Sequence, residues 1–187
     1  MGLDISIGVD NYEEIFDVNY HQNDEENFDK HSLSRTFCDF ICRKEVIETE
    51  PELDQIGKII GVDISIIYEM ESYVSIEELE EYIEEEDLDD EISKAEINNA
   101  KLEGNINNVL AKITELIAKL NEIEDLPKLL LRTEFDTLNN EEYFSSFTVD
   151  KGKGYIDNNF GQDLRNFKNF LEYCLERETK TVWFVYG

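Results

Sequence analysis

Carboxylates supply most of the chemistry available to this chain. The stretch Ile76 to Glu91, IEELEEYIEEEDLDDE, holds eleven carboxylates among sixteen residues and no basic residue, in a chain of formal net charge −28. Close carboxylates repel by roughly 1 kcal/mol per pair even in water, so such a surface favours a compact basic partner that neutralises it. The same field disfavours nucleic acid and anionic membrane. The residues expected to meet a basic protein (a toxin, nuclease or defence protein) are Glu77, Glu78, Glu80, Glu81, Tyr82, Glu84, Glu85, Glu86, Asp87, Asp89, Asp90 and Glu91. Tyr82 is either a residue flanking the Leu79 and Ile83 apolar stripe or the aromatic anchor of that set. A solvated helix face is the alternative fate of a charge run. Segregation argues for binding: residues 1 to 150 carry forty acids against eleven bases, whereas residues 151 to 187 carry five against six.

Other constellations are weaker. DLDDE lacks the glycine that a calcium loop needs at its sharp turn. His21 and His31 flank Asp24, Glu26 and Asp29, which are suitable ligand types, but the spacing matches no closed zinc site. Cys38 and Cys42 stand one helical turn apart and could join His31 at a metal, yet they sit beside Phe37 and Ile41 as small core residues would. Glu178 and Lys180, with Asp157 and Asp163 upstream, have the outline of a metal-dependent nuclease signature. The excess negative charge opposes it, because it reverses the phosphate attraction on which nucleases rely. Neither a GxSxG elbow, a Walker loop, a GxGxxG turn nor an HExxH pair occurs. The expectation is therefore no catalytic residue, no metal and no cofactor. A small enzyme or metal-dependent hydrolase of unknown substrate, or a structural protein oligomerising through its long helix, is the alternative.

The elements that must carry these residues can be read from periodicity. Leu3, Ile5, Ile7 and Val9 alternate with polar residues or glycine, as in a strand with one buried face. Asn11 to His31 is polar and acidic and reads as a long loop, which leaves open a metal among its side chains. Ser32 or Ser34 caps a helix with Phe37, Phe40 and Ile41 on its apolar face. Thr49 and Glu52 have capping-box spacing before a second helix that Gly61 stops. Val62 to Met70 alternates and predicts a second strand; GVDISI at its start repeats GLDISI near the amino terminus, and both read as strands with one wet face. Ser75 and Glu78 form another capping box. From Ile92 to Ile123 apolar residues recur at steps of three and four, with Asn99 the polar exception, predicting one long helix. Its stripe suits packing on a sheet or helix, and a homodimer through the same face is the alternative. Leu129 to Asp136 and Phe144 to Asp150 read as strands, Lys151 to Gly154 as a turn, and a last helix carries Leu164, Phe167, Leu171 and Cys174. Thr181 to Tyr186, apolar on both faces, predicts a central strand.

Together these give an α/β fold: a single domain over residues 1–187, with a mixed sheet covered by helices, one long amphipathic helix, and an acidic helical insertion at about 75–126. Twenty Phe and Tyr residues exclude a disordered acidic tail. A cytoplasmic location is expected, since MGLDISIGVD has no basic n-region, no apolar run approaches the ~20 residues of a membrane span, and three cysteines lack CxxC spacing.

The opening MGL before a strand, the capped acidic helix YVSIEELEEYI, the aromatic turn YFSSF and the closing DLRNFKNFLEYCLERETKTVWF together resemble small bacterial immunity proteins that neutralise polymorphic toxins. The layout is also similar to phage proteins that begin Met-Gly-Leu-Asp. The resemblance implies a non-enzymatic inhibitor of toxin-immunity or phage anti-defence type and assigns no individual residue a role.

Overall fold

The two ends of the chain form the sheet. Strands β1 (Ile5–Val9) and β2 (Val182–Tyr186) pair antiparallel, with Ile5 opposite Tyr186 and Val9 opposite Val182. The structure, a computed structural model, describes residues 4–83, 85–133 and 140–187, apart from the side chains of Tyr82, Glu85, Glu86, Asp87 and Asn140. Between the strands lie α1 (Tyr12–Ile15), α2 (Val18–Gln22), α3 (Asp24–His31), α4 (Arg35–Ile41), α5 (Arg43–Val46), α6 (Glu52–Ile60) and α7 (Ser65–Glu69). A 3-10 turn at Met70–Ser72 leads to α8 (Ile76–Tyr82), α9 (Glu85–Leu102), α10 (Ile106–Leu120), α11 (Leu126–Leu129), α12 (Asn140–Tyr143) and α13 (Phe160–Leu175).

The alternation read in the first strand holds over its described residues, Leu3 lying outside them: Ile5, Ile7 and Val9 are buried, and on β2 so are Val182 and Phe184. Phe184 meets the rings of Phe37 on α4 and Phe167 on α13, at 6.4 and 5.8 Å. Below, α10 lies along α13, and Val109, Ile113 and Leu116 are fully buried with Leu164, Phe167 and Leu171. A second aromatic layer joins Phe40, Tyr143, Phe144 and Phe160, with centroids 5.0 to 6.1 Å apart. Truncating one such buried ring to alanine typically costs about 3–5 kcal/mol.

Three features differ from the mixed sheet inferred from sequence. Among the described residues the sheet has only β1 and β2, and the fold is mostly helical. The alternating segment Val62 to Met70 forms α7 and the 3-10 turn instead, because Ile64, Ile67 and Met70 are the residues packed inward and their spacing of three is helical. Thr181 to Tyr186 is not a central strand: it has one partner, and Val185 on its outer face is exposed.

The other short strands are also absent. Leu129 closes α11 and Leu130 to Thr133 continues irregularly, with the rest of that segment, Glu134 to Asp136, outside the described residues. Phe144 to Asp150 is a series of turns, with Ser146 at φ 53°. The single helix from Ile92 to Ile123 is two: Gly104, at φ 73°, and Asn105 separate α9 from α10, and the α10 half of the stripe is buried within the chain's own core. The long loop expected over Asn11 to His31 is α1 to α3.

Amide side chains hold what strands would otherwise hold. Asn105 pairs with the outer edge of β2, its Nδ2 donating to the Val182 carbonyl at 2.8 Å and its Oδ1 accepting from the Val182 N–H at 2.9 Å. Gln55 on α6 treats Leu131 likewise, donating to its carbonyl at 3.3 Å and accepting from its N–H at 2.7 Å. Each amide carries one donor and one acceptor side by side and thus imitates a neighbouring peptide group.

Candidate functional site

The acidic run is split over two packed helices. Ser75 caps α8 by accepting from the Glu78 N–H at 3.3 Å, as the capping-box spacing predicts, and Glu77 and Glu78 stand in the first turn, where the helix dipole favours negative charge. Ile83, in extended conformation, ends the helix, and α9 begins at Glu85. Glu77, Glu78, Glu80, Glu81, Asp89 and Asp90 are exposed, and Glu91 is half-buried beside Lys94 in an ion pair of 2.5 Å. Glu84 lies outside the described residues, as do the side chains of Tyr82, Glu85, Glu86 and Asp87. The structure therefore brings one part of the expected surface together on α8 and another at the start of α9.

What fixes this acidic pair to the body is Asn99, the polar exception in the apolar stripe. Its Nδ2 donates to the Val74 carbonyl at 2.8 Å and its Oδ1 accepts from the Val74 N–H at 3.0 Å, so α9 clamps the strand-like segment that launches α8. One residue earlier, Tyr73 stacks on Trp183 of β2, with ring centroids 3.9 Å apart and planes 14° apart. The indole in turn covers Gly8, where a Cβ would come within 2.3 Å of its ring nitrogen, so glycine is required at that position. Glu71, on the 3-10 turn before this segment, is pushed up to about 7 by burial and by the nearby Glu45 carboxylate.

The histidines and cysteines have other environments. His21 is exposed on α2, while His31 turns inward, so the two do not share a site. Among the described residues no three of His, Cys, Asp and Glu converge as a metal site requires. Cys38 is a buried free thiol, and burial raises it to about 12; Cys42, half-buried and also free, is raised for the same reason. These are core thiols held in the protonated, unreactive form. The nuclease outline also dissolves: Asp157, Glu178 and Lys180 are exposed, whereas Asp163 is completely buried in the first turn of α13.

There Asp163 is a structural hub. It accepts from the Ser34 N–H at 2.9 Å, the Ser34 hydroxyl at 2.6 Å, Asn158 Nδ2 at 2.9 Å and the Tyr143 hydroxyl at 2.8 Å. Burial pushes its carboxyl up to about 6, against the pull of these donors. Ser34 also caps α4 by accepting from the Phe37 N–H at 3.1 Å, so the hub links the starts of two helices. A second buried pair, Arg43 with Glu52 at 3.0 Å, joins α5 to α6 through the Thr133 hydroxyl.

Sequence reasoning missed an aromatic cavity of about 380 Å³ beside β1. Phe16, Tyr20, Phe28, His31, Tyr155 and Phe170 wall it, and Asp4 and Arg35 stand among its lining residues. Phe16 lies 5.0 Å from Tyr20, and His31 5.8 Å from Tyr20 and 5.6 Å from Phe170. Burial lowers His31 to about 4, so the ring is neutral near pH 7. The missed signal was the spacing Tyr12, Phe16, Tyr20, a helical step of four inside a segment read as loop. Asp17 is the reason it is not one helix: it restarts the chain as the cap of α2, accepting from the Tyr20 N–H at 2.8 Å.

Comparison of the chain with protein-family models, curated proteins and solved structures finds no match in any of the three. Among the described residues no helix is long and apolar enough to cross a membrane.

Proposed function

We propose that this protein is a non-enzymatic acidic binding protein that occupies the basic surface of a partner protein, in the manner of a toxin-immunity or phage anti-defence inhibitor. The observation that carries this reading is the pair α8–α9. Its described carboxylates Glu77, Glu78, Glu80, Glu81, Asp89 and Asp90 are exposed, with Lys94 the one basic residue between Ile76 and Asn99. Asn99 and the Tyr73–Trp183 stack fix its base to the sheet. A charged surface held on a fixed base keeps its pattern during encounter, which favours specific and fast association. The preference for protein over nucleic acid follows from the sign of the charge.

The test is capture from a host lysate at low salt with the wild-type chain, with a reversal of Glu77, Glu80, Glu81 and Asp89 to lysine, and with a control reversing Glu13, Glu14, Glu25 and Glu26. The expected result is a basic protein held by the wild type and the control and lost from the first reversal. The same proteins on all three chains would overturn the proposal.

A further inference from the structure

The aromatic cavity has a polar border with both signs of charge. Arg35 donates from Nε to Asp4 Oδ1 at 2.7 Å, and both side chains are more than half exposed. Only Nε and Oδ1 are engaged in this pair; the other guanidinium nitrogens and Asp4 Oδ2 make no further hydrogen bond among the described residues. The guanidinium also lies 5.4 Å from the centre of the Tyr155 ring, part of the cavity wall.

The strand beside it has an open edge. Asp4 and Gly187 exchange two backbone hydrogen bonds at 3.0 Å, and the Asp10 N–H donates to Thr181 at 3.2 Å. Antiparallel alternation then turns the N–H and C=O groups of Ile5 and Ile7 away from β2. They make no hydrogen bond among the described residues, and both residues line the cavity. Backbone groups need partners, which water or an occupant of the cavity supplies to these.

We infer that the cavity binds a free amino acid with an aromatic or large apolar side chain: its ammonium on Asp4, its carboxylate on Arg35, and its side chain among Phe16, Phe28 and Phe170. Each alternative ligand class meets a conflict. A simple anion is opposed by Asp4 and by the chain's net charge of −28, and a simple cation by Arg35. A hydrocarbon would leave the Ile5 and Ile7 peptide groups dry and unpaired. A zwitterion matches both charges, is neutral in the protein's overall field, and presents donors and acceptors to the open edge. This site is separate from the acidic helix pair and does not depend on the function proposed for it.

Titration of the full-length protein with L-phenylalanine and L-tryptophan, followed by amide chemical shifts, tests this. Shifts of Ile5, Ile7 and Arg35 are expected, with indole and N-acetyl-L-tryptophanamide binding at least about tenfold more weakly than L-tryptophan. Arg35→Gln and Asp4→Asn should each weaken L-phenylalanine about tenfold while leaving the melting temperature near that of the wild type, since an exposed ion pair contributes little to stability. Indole binding as tightly as L-tryptophan, tighter binding of L-glutamate, or no shift at these amides with either amino acid would overturn the inference.

Discussion

The body around α13 and the acidic pair α8–α9 use polar residues in opposite ways. In the body they are buried and saturated: Asp163 takes four hydrogen bonds, and Arg43 and Glu52 are 3% and 0% exposed. In the acidic pair the described carboxylates face solvent apart from the half-buried Glu91, and the attachments of the pair include the Asn99 amide, the Tyr73–Trp183 stack and the buried Ala95 and Leu102 of α9. Buried groups of the first kind fix a fold, because losing one partner strands the others. Exposed charges of the second kind contribute little to folding and remain available to a partner.

The sharpest way to break this contrast is Asp163→Ala. It strands the Ser34, Asn158 and Tyr143 donors in the core and should cost about 3–5 kcal/mol. For a chain of this size that is a melting temperature lower by about 6–20 °C, measured by thermal unfolding. Glu80→Ala on α8 should stay within about 0.5 kcal/mol of wild type. Equal losses would mean that the two regions do not differ as described.

Asn99→Ala comes next. It removes both hydrogen bonds to Val74 and should cost about 1–2 kcal/mol, expressed locally. Hydrogen exchange should accelerate at Val74 and through α8 while the amides of α13 keep their protection. Uniform acceleration would show that the acidic pair is not separately anchored.

A smaller effect is the pH dependence of the aromatic cavity. His31 titrates at about 4 in the folded chain against an ordinary 6.5. Its contribution to stability is therefore complete above 6.5 and is lost as pH falls towards 4. Asp163 and Glu71, raised to about 6 and about 7, act in the opposite sense, stabilising at low pH and losing that contribution as pH rises through those values. Comparing His31→Phe with the wild type by urea unfolding cancels these carboxylates. Relative to the variant, the wild type should lose stability between pH 6.5 and 4, and a constant difference would refute the assignment.

Local signals in the sequence mark several of the helix boundaries. Ser34 and Ser75 cap α4 and α8, Gly61 at φ 68° ends α6, and the apolar residues of α13 lie where periodicity puts them, whereas Thr49 does not cap α6, which follows Pro51 with no side-chain hydrogen bond at its start. The same rule was available at Gly104 and was overridden by a stripe whose period continues across the break. Val62 to Met70 failed for a different reason: its isoleucines favour a strand by propensity, and packing selected the residues spaced by three. Two of the missing strands are instead held by amide side chains: Gln55 pairs with Leu131 in one, and Asn159 donates to the Ser146 and Val149 carbonyls in the other. The acidic surface was legible because it is contiguous in sequence. The aromatic cavity was not, because it gathers residues from Asp4 to Phe170.

The smallest expected effect on folding belongs to the reversal of Glu77, Glu80, Glu81 and Asp89, whose melting temperature should equal or slightly exceed that of the wild type as repulsion is relieved. Its effect on binding is the most direct test of the central claim, measured as the association rate with the captured partner across a salt series. As the Debye length shortens from ~10 Å at 0.1 M to ~3 Å at 1 M, the wild-type rate should fall steeply. The reversal should associate slowly at every salt concentration, while the control reversing Glu13, Glu14, Glu25 and Glu26 should follow the wild type. Equal rates for all three chains would contradict the assignment of α8–α9 as the binding surface.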